Sequence, residues 1–303
     1  MFMPDTLDEM ADNDFSRARL REALARIGSF LSPGKRQLLA LDEVRSILKI
    51  RGEEYRGLMS VPIEMILGSE GRYRDFARGF LPKHSYLRAR WVKVDSAHYH
   101  DIILPPIRLY ELGGAYFVRD GNHRVSVAKM QGVLEIDAEV TSLSSAIRID
   151  KDMGMDELRQ ALIEYEKKEF YAQTMFGQVT DDAQLDFTSP GAYDQIVEHI
   201  LVHKYYMNQS SEKEVDFVMA IDSWYRTVYK PIVDTIHSER LGSRFPGRTA
   251  SDLYLYIVKH WDELKKRYGV HFPASEAARD FASRYGTGFF KQLKNFFKKN
   301  RKG

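Results

Sequence analysis

The stretch from Ile107 to Val140 leaves this chain the fewest folding options, because its hydrophobic pattern changes several times in quick succession. IRLYEL (107–112) and AYFV (115–118) are short apolar runs separated only by Gly113-Gly114, the signature of a tight hairpin. A polar turn, Arg119-Asp120-Gly121-Asn122-His123-Arg124, follows at once. The next residues read as a helix ending near Gly132, where glycine suits a left-handed cap. In LEIDAEV (134–140), Leu134, Ile136, Ala138 and Val140 alternate as on one face of a strand. The pattern predicts strand, strand, helix, strand in a compact α/β unit.

On either side the character differs. Residues 1–14 are polar and read as loose, and Leu20, Ala23, Leu24, Ile27 and Leu31 then recur at helical spacing. Ser32-Pro33-Gly34 interrupts, and Leu38, Leu41, Val44, Ile47 and Leu48 suggest a second helix. Two short helices around a turn serve either to read DNA or simply to pack on neighbours, and packing is the expectation. Val61-Pro62-Ile63 reads as a short strand and GSEGRYRDF (68–76) as a glycine-punctuated loop entering a helix. Residues 146–303 are mostly helical in pattern, broken at Ser189-Pro190-Gly191 and Phe245-Pro246-Gly247. The fold class expected is therefore α+β. A helical segment (1–55) precedes a small α/β domain (56–145), and a larger all-helical domain (146–303) follows.

Composition narrows the function. With 303 residues, 44% of them apolar, there is length for two domains or one domain with large additions, and ample material for a real core. The net charge of +2 argues against a protein dominated by nucleic-acid affinity. The chain has no cysteine, which removes thiolate catalysis and cysteine zinc sites. No apolar run approaches a membrane span, and MFMPDTLDEMADNDF lacks a secretory core, so a soluble cytoplasmic protein is expected.

The polar turn carries the chemistry. A helix start exposes unpaired N–H groups and the positive end of the helix dipole. Gly121 before it would let the backbone approach a ligand closely, and His123 and Arg124 would complete a small anion site. Asp120 would repel a bare phosphate, so it implies a bridging metal such as Mg²⁺, or a role in orienting His123 or a substrate hydroxyl. The plainer reading is that Asp120 or Asn122 merely caps the helix. A ligand site is favoured, since a cap needs one polar residue and this turn gathers four.

FVRDGNHRVSVAKMQG, with the hairpin before it and IDAEV after it, resembles the core of the ParB/sulfiredoxin superfamily. VPIEMILGSEGRYRDF is similar to the first conserved box of that fold, and the resemblance covers about residues 56–145. Sulfiredoxins place a reactive cysteine where this chain has Asn122, which excludes their activity. CTP-binding partition proteins carry a GERR-like box that is absent here. Archaeal free-serine kinases, which use ADP, have a DGHHR turn and a glutamate after the first strand. Laid on that branch, the resemblance implies Glu70 as the base and Asp120 in the catalytic turn. His123 and Arg124 would hold phosphates, assisted by the amides of Asn122 and His123. Arg72 and Arg74 would complete the clamp or pair with Glu70 and Asp75. RFPGRTASDLYLYIVKH also resembles bacterial proteins that carry ParB-like domains, without known chemistry.

Other clusters have plainer explanations. His199 and His203 sit at zinc-ligand spacing but lack a third ligand, so a structural role is expected. Asp95, His98, His100 and Asp101 read as a polar loop, and no metal centre is assigned. Thr249 and Asp252 form a capping-box variant, leaving Arg244 and Arg248 to be explained. FFKQLKNFFKKNRKG (289–303) reads as a basic, aromatic helix that docks on the core or contacts a partner or membrane surface. The leading function is binding of a nucleotide (ADP, ATP or CTP) or phosphorylated small molecule at Gly121, Asn122, His123, Arg124 and Arg72, with phosphoryl transfer or hydrolysis. The alternatives are a DNA-binding regulator or nuclease and a non-catalytic sensor.

Overall fold

A computed structural model describes residues 6–28, 37–48, 50, 52–268 and 281. Ser32-Pro33-Gly34 and the basic 289–303 segment lie outside the described residues. The chain divides into two compact units, Met1–Leu162 and Ile163–Gly303.

The first unit is built on a mixed six-stranded sheet. Its strands are β1 (Leu39–Ala40), β2 (Glu53–Pro62), β3 (Ile66–Ser69), β4 (Ile107–Leu112), β5 (Ala115–Asp120) and β6 (Glu135–Leu143), in the spatial order β1-β3-β5-β4-β6-β2. β4 and β5 form the predicted antiparallel hairpin, with Leu112 opposite Ala115. β3 runs parallel to β5, pairing Ser69 with Val118, so the C-terminal ends of both strands point the same way.

Each face of this sheet is buried, which is why the hairpin runs are almost wholly apolar rather than alternating. On one face Ile107, Leu109, Val118 and Val140 pack with Trp91 of α3 (Arg88–Tyr99), Val125 of α4 (Asn122–Met130) and Phe15 of α1 (Leu7–Gly28). On the other face Tyr110, Leu112 and Phe117 meet Leu41, Val44 and Leu48 of α2 (Leu41–Leu48), together with Leu158 at the start of α5 (Met155–Thr174).

The compact unit is wider than the predicted 56–145 domain. β1 and β2 belong to the sheet, and α1 is tied to α3 through Arg88 to Asp12 and Tyr99 Oη to Asp14 Oδ2 at 2.6 Å. β2 is a ten-residue strand rather than a short one. It lies at the sheet edge with nearly every residue exposed, so no alternation marked it. The helix expected after GSEGRYRDF is a 3₁₀ turn at Arg78–Phe80. Gly79 and Phe80 both have positive φ there (78° and 60°), a geometry that stops a helix. Asp95 lies within α3, not in a loop.

The second unit is helical among its described residues. Besides the later part of α5 it has α6 (Phe176–Val179), α7 (Ala192–Gln209), α8 (Phe217–Trp224), α9 (Lys230–Ser238) and α10 (Ala250–Tyr268), with a π-helical turn at Tyr225–Tyr229. Trp224, Tyr193, Tyr254 and Phe176 fill its core. The buried aromatics satisfy their polar ends, as burial requires. Tyr193 Oη donates to Leu185 O at 2.8 Å and Trp224 Nε1 to Tyr254 Oη at 3.2 Å.

The predicted cap of α10 is present in reciprocal form: Asp252 N donates to Thr249 Oγ1 (3.0 Å), and Thr249 N to Asp252 Oδ2 (3.1 Å). Arg248 is explained as well, since its guanidinium donates to Thr188 Oγ1 at 2.6 Å beside that cap. Arg244 is exposed at the surface.

Candidate functional site

α4 begins at Asn122, inside the polar turn rather than after it, so Asn122, His123 and Arg124 form its first helical residues. Gly121 stands before them at φ 106°, ψ 22°, a conformation that favours glycine. A Cβ there would come within 2.4 Å of Ile107 Cγ2. At the other end, Val133 N donates to Ala128 O (3.0 Å) and Gly132 N to Lys129 O (3.4 Å), the paired bonds of a Schellman cap around the predicted Gly132.

The N-terminus has no such closure. No side chain caps it, although Asp120 and Asn122 are both at hand. Asp120 Oδ2 instead accepts from Arg124 Nη2 at 2.7 Å. Arg124 is further engaged by the carbonyls of Pro105 and Pro106, the latter at 3.0 Å. Asp120, at the end of β5, is thus charge-compensated by the first turn of the helix that follows it. Arg124 also lines a cleft of about 320 Å³ with His98, Pro105, Val127 and Ile136, which neither Asn122 nor His123 borders.

Two polar atoms in the first turn are enclosed without a hydrogen-bond partner among the described residues: Asn122 Oδ1 and His123 Nδ1. Their residues are 8% and 5% exposed. A buried polar group left unpaired costs about 1–3 kcal/mol, so a pair of them at one uncapped helix start is expensive for stability alone. Phe76 meets the His123 ring edge-on at 5.4 Å. Burial first, then the positive charges of Arg90 and Arg72, push the His123 pKa down to about 4, against a smaller opposing pull from Asp75. The imidazole is therefore neutral at pH 7 and sits in a positive field that an anion would relieve.

The loop from β3 to α3 packs against α4 through Phe76 and Phe80. Glu70 leaves β3 with its N–H donating to Val118 O at 2.9 Å, which places it at the same end of the sheet as Asp120. Its side chain is half-buried. Arg72 pairs with Asp75 at 3.2 Å, and Arg74 lies over the Tyr73 ring. Ser126 of α4 anchors this loop by donating to Phe80 O (2.7 Å) while accepting from Trp91 Nε1 (2.8 Å). Sequence reasoning missed Phe76, Arg90, Tyr86 and His84. Their connections to the turn span many residues and leave no local spacing signal.

The other predicted clusters are separate from this site. His199 Nδ1 contacts Tyr254 Oη at 3.2 Å, and His203 Nε2 contacts Ser223 Oγ at 2.9 Å, a structural role for each. Asp95 is fully buried, accepts from Gln131 Nε2 at 2.8 Å, and has its pKa raised chiefly by burial. Among the described residues no group of three or more metal-ligating side chains occurs, and no helix is long and apolar enough to cross a membrane.

No family model matches the chain, and no curated protein matches it at a significant level. Among solved structures it is similar to the C2221 form of a Pnob8-like ParB-N domain, at 12% identity over 71% of this chain and 83% of that one, with a TM-score of 0.20.

Proposed function

We propose that the β5–α4 turn binds the anionic group of a nucleotide or phosphorylated small molecule. The observation that carries this reading is the uncapped N-terminus of α4, with the buried His123 Nδ1 unpartnered beside it. Free helix N–H groups and the helix dipole favour an anion at that place. Arg72, exposed and held by a single ion pair with Asp75, is assigned as the cation that meets the phosphates in preference to the more enclosed Arg124, which Asp120 and two carbonyls engage. Arg124 acts as a positioning residue, holding Asp120 and the Pro105-Pro106 carbonyls.

Phosphoryl transfer or hydrolysis is the chemistry this reading extends to. Glu70 follows β3 and Asp120 ends the adjacent parallel β5, at the strand ends where ligands settle in open α/β sheets. Glu70 would take the proton of an acceptor hydroxyl or water, and positioning with charge stabilisation would supply most of the rate. A magnesium ion would arrive with the nucleotide phosphates, held by them and by a carboxylate such as Asp120.

The test is a thermal-shift and calorimetric titration of ADP, ATP and CTP with Mg²⁺, followed by product analysis. The reading expects a nucleotide to raise the melting temperature, Arg72→Ala to weaken its binding, and Glu70→Ala to reduce turnover while binding persists. If no nucleotide stabilises the protein, the nucleotide reading is wrong. Steeply salt-dependent duplex binding that ignores Arg72→Ala would favour the DNA regulator instead.

A further inference from the structure

The loop between β3 and α3 holds an aromatic pair that anion binding at α4 does not use. His84 and Tyr86 lie parallel, with centroids 5.2 Å apart and an interplanar angle of 9°. Tyr86 is 66% exposed, yet its ring is fixed from two sides. His84 covers one face, and the phenol donates to Asp75 Oδ1 at 2.6 Å. Asp75 Oδ2 accepts from Arg72 at 3.2 Å. The next residue, Phe76, presents its ring to His123. A continuous run of contacts therefore leads from the open face of Tyr86 to the first turn of α4. The backbone around it is pinned too: Lys83 N donates to Asp75 O at 2.9 Å, and Arg19 of α1 donates to the carbonyls of Pro82 and Lys83.

A surface tyrosine kept only for solubility needs neither a tether nor a stacked partner. A ring held flat, with one face covered and the other in water, is preorganised to receive another planar ring, and little freedom remains to be lost on stacking. We infer that the open face of Tyr86 is a stacking platform for the base of a nucleotide whose phosphate lies at the N-terminus of α4. This inference rests on the anion-site reading above. It narrows the ligand to molecules with an aromatic base at one end and an anion at the other. Stacking of this kind tolerates every base, so Tyr86 senses the presence of a base rather than its identity.

The experiment compares AMP with ribose 5-phosphate, which differ only in the base, together with ADP, by calorimetry on the full chain and on Tyr86→Ala and Tyr86→Phe. AMP is expected to bind roughly 5- to 150-fold more tightly than ribose 5-phosphate, the range measured for one base on one aromatic ring. Tyr86→Ala should erase that gap and leave ribose 5-phosphate binding unchanged. Tyr86→Phe, which keeps the ring and loses only the Asp75 tether, should retain most of the gap. Equal affinities for AMP and ribose 5-phosphate, or an unchanged gap in Tyr86→Ala, overturn the platform while leaving the anion site standing. Failure of all three compounds to bind overturns the anion site and the platform with it.

Discussion

Replacing His123 with phenylalanine should flatten the acid side of the stability profile. The folded imidazole has its pKa held down to about 4, against 6.5 when unperturbed. Between these values the unfolded chain binds the proton and the folded chain does not, so stability falls as the pH falls through that window. Each pH unit is worth about 1.4 kcal/mol, and the full window about 3 kcal/mol. From pH 6.5 to 5 the wild type should therefore lose about 2 kcal/mol through this residue alone. Phenylalanine keeps the edge contact with Phe76 and has no proton to gain. Its extra volume can shift absolute stability by about 1–3 kcal/mol, so the slope is the readout. Asp95, whose pKa burial raises, contributes with the opposite sign and cancels in the comparison of wild type with variant. Hydrogen exchange at β5 amides, taken from pH 7 to 5 and corrected for intrinsic rates, reports opening of this unit specifically. Equal slopes in the two proteins would refute the account, because His123 would then not be a buried neutral imidazole.

Gly121→Ala should destabilise the first unit by about 2 kcal/mol or more in the same exchange measurement, through its positive φ and the contact with Ile107. Arg124→Ala should cost about 1–3 kcal/mol by leaving the Pro105 and Pro106 carbonyls and Asp120 without their donor. Arg72→Ala, at the surface, should stay within about 0.5 kcal/mol of wild type and instead weaken nucleotide binding in calorimetry. Asp252→Ala should lower the melting temperature of the helical unit by removing the acceptor for Thr249 N, Thr188 N and Thr188 Oγ1 together, a loss of about 1–3 kcal/mol.

What the sequence disclosed was local. The Gly113-Gly114 hairpin, the start of α4 at the polar turn, its glycine cap and the Thr249–Asp252 box all follow from spacings of a few residues. β2 was legible only at its end, since an edge strand exposed on both faces shows no period. The pairing of Asp120 with Arg124 was not legible from helical spacing, because Asp120 ends β5 and only the left-handed turn at Gly121 brings it back to the first turn of α4. Its consequence, a site whose nearest arginine is already committed, needed the Pro105-Pro106 carbonyls placed beside it. Tyr86, Asp75 and Phe76 gain their roles from a loop folded back by Gly79 and Phe80 in left-handed conformations and tied down by Ser126. No residue of that loop signals this on its own.

The most direct test of the anion site is an NMR titration of the ¹⁵N-labelled protein with ADP, following the amides of Asn122, His123 and Arg124 and the His123 ring. The account predicts that those amides shift first and saturably, and that the His123 pKa rises from about 4 as the bound phosphate offsets the field of Arg90 and Arg72. Unmoved α4 amides and an unchanged His123 titration at saturating ADP would contradict it.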